Sequence, residues 1–487
     1  MPVVMGVDSS TQSCKVELRD SETGQCLGLG AAPHPPTTPP VSEQNPTDWW
    51  NALKLALNRA IDDAGLNKRD VKAISVAAQC HGLVLMDSSG HVLRPVKLWN
   101  DLTSAPEASC MVAETGPDFW VDCVGSVPTA AFTITKLAWM ASHEPRILAA
   151  SATACLPHDW LTWRLTGRFV TDRSDASGTG YYSGSQSCYR HDILERFASV
   201  GDISLPEVLG PHTPVGRICT SAAEELGLGR DVLVGPGMGD QHAAALGLGL
   251  SPTDVGFSLG TSGVVMTVSE DPVHDHQGIV DGVCDATGRF LPLVCTLNAV
   301  KVTDWFRDLL AVGYDEFDSL ALSVPPSERT LTLAAFFDGE RRPNLPLAVG
   351  LLAGLTPHTT RAQLARAGVD GVVMGLLEGY DALVRCGLRT DGRVVAFGGG
   401  ASSAAYRQSL ADFLVRPVLV LEESEATARG ACVQAEAILS GTTIDQVRDA
   451  WRPMVSLVTQ PGEHPPDNVR EAYRTLAAFR GMDRTPG

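Results

Sequence analysis

Gly235-Pro-Gly-Met-Gly-Asp240-Gln-His-Ala-Ala-Ala245 and, after a small linker, Val255-Gly-Phe-Ser-Leu-Gly-Thr-Ser-Gly263-Val-Val-Met-Thr-Val268 form the stretch that decides the fold. Its first half is a glycine-loosened turn that delivers one carboxylate, Asp240, to the start of an alanine-rich helix. Glycine lets a backbone approach a ligand closely, and a carboxylate at a helix start lies near unpaired N–H donors. The second half reads as two β-rich runs joined by Gly260-Thr-Ser-Gly263. The turn of such a hairpin offers backbone N–H groups and hydroxyls that can wrap an anion without a lysine.

The same hairpin opens the chain. Gly6-Val-Asp8-Ser-Ser-Thr11-Gln-Ser13-Cys-Lys-Val16 aligns without a gap on Gly256-Phe-Ser258-Leu-Gly-Thr261-Ser-Gly263-Val-Val-Met266, pairing Gly6 with Gly256 and Thr11 with Thr261. A fixed offset of this kind indicates two homologous halves. Two phosphate-gripping hairpins facing one cleft, with Asp8 in one half and Asp240 at the edge of the other, suit the movement of a phosphoryl group.

The bulk properties narrow the class. A chain of 487 residues with 44% hydrophobic content is expected to form two large domains with real cores. The formal charge of −18 argues against nucleic acid and anionic membranes as partners. The first residues run directly into an apolar strand, with no basic leader, and no window reaches the length of a membrane span. The 12 cysteines are scattered without a C-x-x-C pair, which fits a reduced, cytoplasmic setting and argues against zinc.

In chain order, strands are expected at 3–7, 14–20 and 25–31, then a proline-rich surface loop at 33–40. Asn45-Pro46 supplies an N-cap and first helical residue, and Trp50, Leu53, Leu57 and Ile61 form the apolar stripe behind it. A buried strand at 71–79 leads to Gln79-Cys80-His81-Gly82, and a hairpin turn at 87–90 precedes Leu98-Trp99-Asn100-Asp101. The Gly/Ser/Tyr-rich segment 174–186 reads as a loop over a cleft, and 231–234 as a short core strand. In the second half a strand is expected near 290–295, and helices at 301–312 and 315–323. Thr360 to Gln363 has capping-box form, and the helix it opens carries Gly371, Gly375 and Gly379 four apart, a smooth face for close packing. A strand at 394–397 ends at Gly398-Gly399-Gly400 before a helix at 401–414, and the chain from 426 onward reads as mostly helical. The boundary falls near 247–254, giving an N-terminal domain (1–248), a C-terminal domain (249–441) and a helical extension (442–487).

Taken one at a time, several of these features have plain readings. Asp8 alone is a turn former and Asp240 alone a helix cap. The paired hairpins favour instead a carboxylate at Asp8 that orients hydrated Mg²⁺, with phosphates on the side of Thr11, Gln12 and Ser13. They favour at Asp240 a base within reach of a substrate hydroxyl. A glycine triplet before a helix N-terminus suits a nucleotide. Neither the P-loop nor the dinucleotide-binding fingerprint occurs. Cys80 and His81, with Trp99, Asn100 and Asp101 nearby, suit a polar pocket with one aromatic wall, as a sugar requires. His274-Asp-His276 lacks a third ligand and reads as a solvated loop, while Trp139, Trp160 and Trp163 read as core.

Together these motifs resemble the FGGY carbohydrate kinases. Gly6-Val-Asp8 with Thr11-Gln12-Ser13, Gln79-Cys80-His81-Gly82, Leu98-Trp99-Asn100-Asp101, Phe132-x-x-x-Lys136-x-x-Trp139, Gly239-Asp240, Leu259-Gly-Thr-Ser-Gly263, Gly339-Glu-Arg341, Gly354-Leu355 and Gly398-Gly-Gly-Ala401 stand in the family's order across residues 3–440. The resemblance implies an α/β fold of two ribonuclease-H-like domains, of the actin and hexokinase type, around a central cleft. It implies ATP-dependent phosphorylation of D-xylulose at its terminal hydroxyl, with ATP and Mg²⁺ as cofactors. Asp240 falls on the family's catalytic base, Asp8 on its second, metal-linked aspartate, and Cys80 and His81 on the sugar-contacting pair. Gly260, Thr261, Gly399, Gly400 and Ala401 fall on nucleotide contacts. Three departures bear on the sugar: Cys80 stands where bacterial members usually have Met, Leu102-Thr103 where Gly-Arg is usual, and Gln241 where Asn is common. The alternatives are a related kinase acting on ribulose or a pentitol, and a non-catalytic ATP-binding protein of the same fold. The expected partner is a small-molecule sugar, with neither nucleic acid nor membrane; a homodimer stays open.

Overall fold

A computed structural model describes residues 2–200, 203–422, 425–462 and 468–479. Two mixed sheets dominate it. The first contains β1 (Val3–Ser9), β2 (Ser13–Asp20), β3 (Cys26–Pro33), β4 (Val71–Ala78), β5 (Gly216–Arg217) and β6 (Leu233–Val234), in the order β3-β2-β1-β4-β6-β5. A further short strand, β7 (Met238–Gly239), pairs with the end of β4. The second contains β8 (Val255–Leu259), β9 (Gly263–Thr267), β10 (Asp281–Cys284), β11 (Phe290–Thr296), β12 (Val394–Phe397), β13 (Val418–Leu421) and β14 (Val455–Thr459). Its order is β10-β11-β9-β8-β12-β13-β14.

Laid side by side, the sheets match over six strands, and β10 is an addition at the outer edge of the second. β1 pairs antiparallel with β2 and parallel with β4, and β8 pairs antiparallel with β9 and parallel with β12. β2 pairs antiparallel with β3 as β9 does with β11. β4 continues parallel to β6 and β12 to β13, and an antiparallel strand, β5 or β14, closes each order. The duplication inferred from one hairpin therefore extends over a whole sheet. The hairpins differ by one residue: Ser9 faces Cys14 across residues 10–13, whereas Leu259 faces Gly263 across 260–262. The ungapped alignment thus holds through the first strand and into the turn, and the return strand is offset by one.

Each sheet is covered by helices whose sequence dictates where they begin and how closely they lie. Helix α1 (Pro46–Ala64) is capped by the Asn45 side chain, which accepts from the Thr47 N–H at 2.9 Å. Its buried face, Trp49, Trp50, Leu53, Leu57 and Ile61, packs into one core with Val3, Met5, Val7, Val16 and Leu18. It can lie close on β3 because Gly28 and Gly30 leave room for the carbonyls of Ala60 and Ala56. The expected long helix runs from Arg361 to Arg385, with the Thr360/Gln363 capping box formed. Of its three glycines, Gly371 meets Leu333 and Gly379 meets Val294, while Gly375 has only the Tyr473 hydroxyl within 4 Å.

Two segments depart from the sequence expectation. Residues 455–459 form β14 at the edge of the second sheet rather than helix, a short Val-Ser-Leu-Val-Thr run whose pairing partner lies far back in the chain. Helix α2 (Asp240–Gly247) packs against α3 (Ala426–Ser440), which comes from the end of the second half yet covers the face of the first sheet opposite α1. The approach is close enough that a Cβ at Gly247 or Gly430 would strike the carbonyl of Ala426 or Ala243, and one at Gly6 that of Ala428. The halves also touch along a seam. Cys284 N–H donates to Ser177 Oγ at 2.8 Å, Gly282 N–H to the Gly125 carbonyl at 2.9 Å, and Arg342 to the Val127 carbonyl at 2.7 Å. Exposed His276 meets Asp118 there at 2.9 Å. Among the described residues no helix is long and apolar enough to cross a membrane.

Candidate active site

Register alone assembles the centre of the site. Asp8 and Ser9 at the end of β1 lie level with Ala77 and Ala78 on β4, and Met238 and Gly239 of β7 lie level with the same two residues on β4's other side. Asp8, Gln79-Cys80-His81 and Asp240 therefore emerge together at the carboxyl ends of three neighbouring strands. Two strand spacings separate Asp8 from Asp240, about 10 Å between backbones.

Asp240 is the first residue of α2, and its carboxylate accepts from the Gln241 N–H at 2.8 Å and faces the Cys80 thiol at 3.4 Å. Burial pushes its pKa from 3.8 up to about 6, against the pull of those two hydrogen bonds. The glycine turn before it is pinned by Gln434 of α3, a wholly buried side chain. Gln434 accepts from Ser75 Oγ at 2.5 Å and the Gly237 N–H at 3.0 Å, and donates to the Pro211 carbonyl at 3.0 Å. Gly237 has φ +84°, and a side chain there would collide with His158 and the Val76 carbonyl, so the turn admits only glycine. Asp8 is 4% exposed; burial pushes it up to about 7, offset by the Ser10 hydroxyl and Lys15 and reinforced by Asp240.

His81 holds φ +65°, a strained conformation for a residue with a side chain. Its Nδ1–H donates to the Gly178 carbonyl at 2.7 Å, its ring lies 5.0 Å from that of Phe132, and its carbonyl accepts from Thr133 Oγ1 at 3.1 Å. Burial, with the cations Arg341 and Lys136 nearby, holds its pKa well below 6.5, so the ring is neutral with a bare Nε2. Segment 174–183 is not a loop over a cleft: it is the buried floor under His81. Asp172 caps a short helix, Arg173–Ala176, and a Cβ at Gly178 would come 2.9 Å from His81 Cε1. The small residues that read as a surface loop are there for close packing.

Beneath Cys80 lies a cluster not apparent from sequence. His158 Nε2 is 3.1 Å from Asp159 Oδ1 and 3.4 Å from Asp175 Oδ2, all three at most 1% exposed. Burial pushes both carboxyls well above the usual carboxylate range and takes His158 down to about 3.

The remaining sugar-side expectations divide. The Trp99 indole N–H donates to Thr11 Oγ1 at 2.8 Å, and Asn100 Oδ1 is buried without a partner. Asp101 differs from expectation: it is 0% exposed, its carboxylate taken up by the Ser42 N–H at 2.9 Å, the Thr103 N–H at 3.1 Å and Lys97 at 3.3 Å. It anchors the turn that presents Trp99 and Asn100 and offers no free face. Thr11 joins the same side, since its hydroxyl also lies 3.3 Å from Gln79 Oε1. Gln12 is exposed, and Ser13 begins β2.

On the second half, the Gly260-Thr261 turn and the Gly398–Ser402 segment follow the adjacent parallel strands β8 and β12 and lie against each other. A Cβ at Gly400 would meet Leu259 Cβ at 2.9 Å and Val300 Cγ2 at 2.7 Å, while one at Gly399 would meet nothing within 4 Å. Thr261 and Gly399 are exposed, and Ala401 is buried with its N–H on the Gly398 carbonyl at 3.0 Å. Arg341, of the Gly339-Glu-Arg341 motif, reaches across to place Nη2 3.5 Å from His81 Nε2. Contacts between positions 260 residues apart leave no local signal that could have found it.

A duplicated sheet, a Ser/Gly/Thr turn in each half and a part-buried carboxylate heading a helix between them define a two-domain phosphotransferase fold. The chain belongs to the FGGY family of carbohydrate kinases, whose N-terminal domain profile matches residues 3–247 and whose C-terminal domain profile matches 255–437. It is 40% identical over 451 residues to the xylulose kinase of Streptomyces coelicolor, covering 92% of this chain and 91% of that one. The crystal structure of xylulose kinase from Bifidobacterium adolescentis superposes with a TM-score of 0.85 at 37% identity, over 98% of this chain and 99% of that one. Plasmodium falciparum glycerol kinase with ADP, at 18% identity, shares the fold with a TM-score of 0.86.

Proposed function

We propose that this chain transfers the γ-phosphoryl group of ATP to the terminal hydroxyl of D-xylulose, with Asp240 as general base. The observation that carries the chemistry is the Asp240 carboxylate, held at the head of α2 beside Cys80 and raised to about 6, poised to accept a proton near neutral pH. The choice of sugar is supported by the two relatives above that bear the name xylulose kinase. Residues 1–248 would hold the sugar between Cys80, His81, Trp99 and Asn100. Residues 249–441 would hold ATP on Gly260, Thr261, Gly399, Gly400 and Ala401, and 442–487 would extend that half. The protein is proposed to be cytoplasmic.

In this reading the attacking hydroxyl sits on Asp240, and His81 orients the sugar through its bare Nε2. Exposed Thr261 and Gly399 would face the phosphates, Gly399 with no side chain in the way. The donor set fits Mg²⁺ held largely by nucleotide and water: among the described residues no group of three or more His, Cys, Asp or Glu could cage a metal. Asp8, a buried carboxylate raised to about 7, would gain from a nearby cation. When bound, the ion supplies neutralisation of the phosphate charge.

A panel of ketopentoses and pentitols assayed for ATP-dependent ADP release tests the proposal. D-xylulose should be the fastest acceptor. Faster turnover of ribulose or a pentitol would replace the substrate, and ATP binding without any sugar turnover would overturn the kinase reading.

A further inference from the structure

Arg341 is displayed by neighbours that are fully engaged. The Glu340 carboxylate, 5% exposed, accepts from the Leu297 N–H at 2.6 Å, the Arg341 N–H at 2.7 Å and Asn298 Nδ2 at 3.0 Å. Arg342, 4% exposed, donates to Asp281 at 2.5 Å. Arg341 between them has no carboxylate within ion-pair distance among the described residues, and its Nε is buried without a partner. A part-buried arginine with its Nε left in this state awaits an acceptor. Its Nη2 faces the one ring nitrogen of His81 that carries no proton, at 3.5 Å, the outer edge of a direct hydrogen bond.

We propose that Arg341 is a sugar-contacting, specificity-determining residue: its guanidinium and His81 Nε2, one from each half, together hold a single hydroxyl of the sugar. An oxygen about 2.8 Å from both nitrogens forms a triangle on their 3.5 Å separation. Such an oxygen must accept from the guanidinium and donate to the imidazole, and an alcohol does both. A phosphate oxygen satisfies Arg341 but has no proton for Nε2, which points to the sugar rather than the nucleotide. Cys80, the residue before His81, touches Asp240, so the hydroxyl read here neighbours the reacting one. Because the two nitrogens belong to different halves, the sugar that bridges them also ties the halves together. This role presupposes the sugar-kinase reading above.

The test uses the full-length chain carrying Arg341→Met, with KM for D-xylulose at saturating ATP and KM for ATP at saturating sugar. The sugar KM is expected to rise about ten- to hundredfold, the range for a charge-assisted hydrogen bond, with the ATP KM within about twofold. In a cycle with His81→Asn, the double variant should lose less than the product of the single losses, because both read one hydroxyl. A sugar KM within about threefold of wild type, or a rise confined to ATP, overturns the role. If Arg341→Met does not fold, Arg341→Gln is measured against the same thresholds. A wild-type chain that phosphorylates no sugar overturns the kinase reading itself, whereas wild-type turnover with unaffected variants overturns only the role of Arg341.

Discussion

Replacing Asp240 by Asn separates a base from a helix cap. The amide keeps an acceptor for the Gln241 N–H and the Cys80 thiol but cannot take a proton. Loss of general-base catalysis is worth about 10²–10⁴ in kcat. Stability supplies the second readout. The folded pKa, about 6, lies above the unfolded value near 3.8, so the folded state holds its proton to higher pH. That contribution is fully present below pH 4 and is lost as pH rises through 6. At pH 8 the ionised group opposes folding by roughly 3 kcal/mol for a shift of about two pK units, reduced to about 1–2 kcal/mol because the side chain is only part-buried. Asp240→Asn should therefore melt about 2–6 °C higher than wild type at pH 8 and together with it at pH 4, by scanning fluorimetry, while coupled ADP release collapses. A kcat within tenfold of wild type, or a variant less stable at pH 8, would refute the reasoning and leave Asp240 a cap.

Other perturbations follow from the same geometry. Because an added methyl at Gly399 meets nothing, Gly399→Ala should keep the wild-type melting temperature and raise the ATP KM about five- to tenfold; Gly400→Ala, against Val300 and Leu259, should cost about 1–3 kcal/mol in urea unfolding. Gln434→Leu strips the turn before Asp240 of its hydrogen bonds and should cost about 2–4 kcal/mol and lower kcat about tenfold, with little change in either KM. Lys136 is wholly buried and donates to the carbonyls of Ala130, Ala131 and Phe132, so Lys136→Met should destabilise by about 2–4 kcal/mol, again by urea unfolding. The acid limb of kcat/KM should fall near pH 6, where Asp240 gains its proton, rather than near 4.

What could be read from the chain was what local chemistry specifies. The two hairpins, the Asn45-Pro46 helix start and the Thr360 capping box are each encoded within a few residues, and each forms, the second hairpin with a turn one residue shorter than the first. Composition misled where packing, not exposure, selects small residues, as in the buried floor at 174–183. Asp101 adjoins Trp99 and Asn100 in the sequence, yet its carboxylate turns inward to Ser42 and Thr103. Gln434, the His158 cluster and Arg341 act through contacts between distant segments, and a single sequence carries no trace of these.

The crossing of α3 onto the first sheet has a consequence for how the molecule can be divided. Cutting the gene after residue 248 would yield a fragment with one face of its sheet stripped bare and the loop behind Asp240 unmoored, since Gln434 and Gly430 would be gone. A remnant of that kind exposes a broad oily surface and should clump rather than fold. The same interlock means that the chain leaves the second sheet at β13 and, only a few residues later, enters the helix that covers the first.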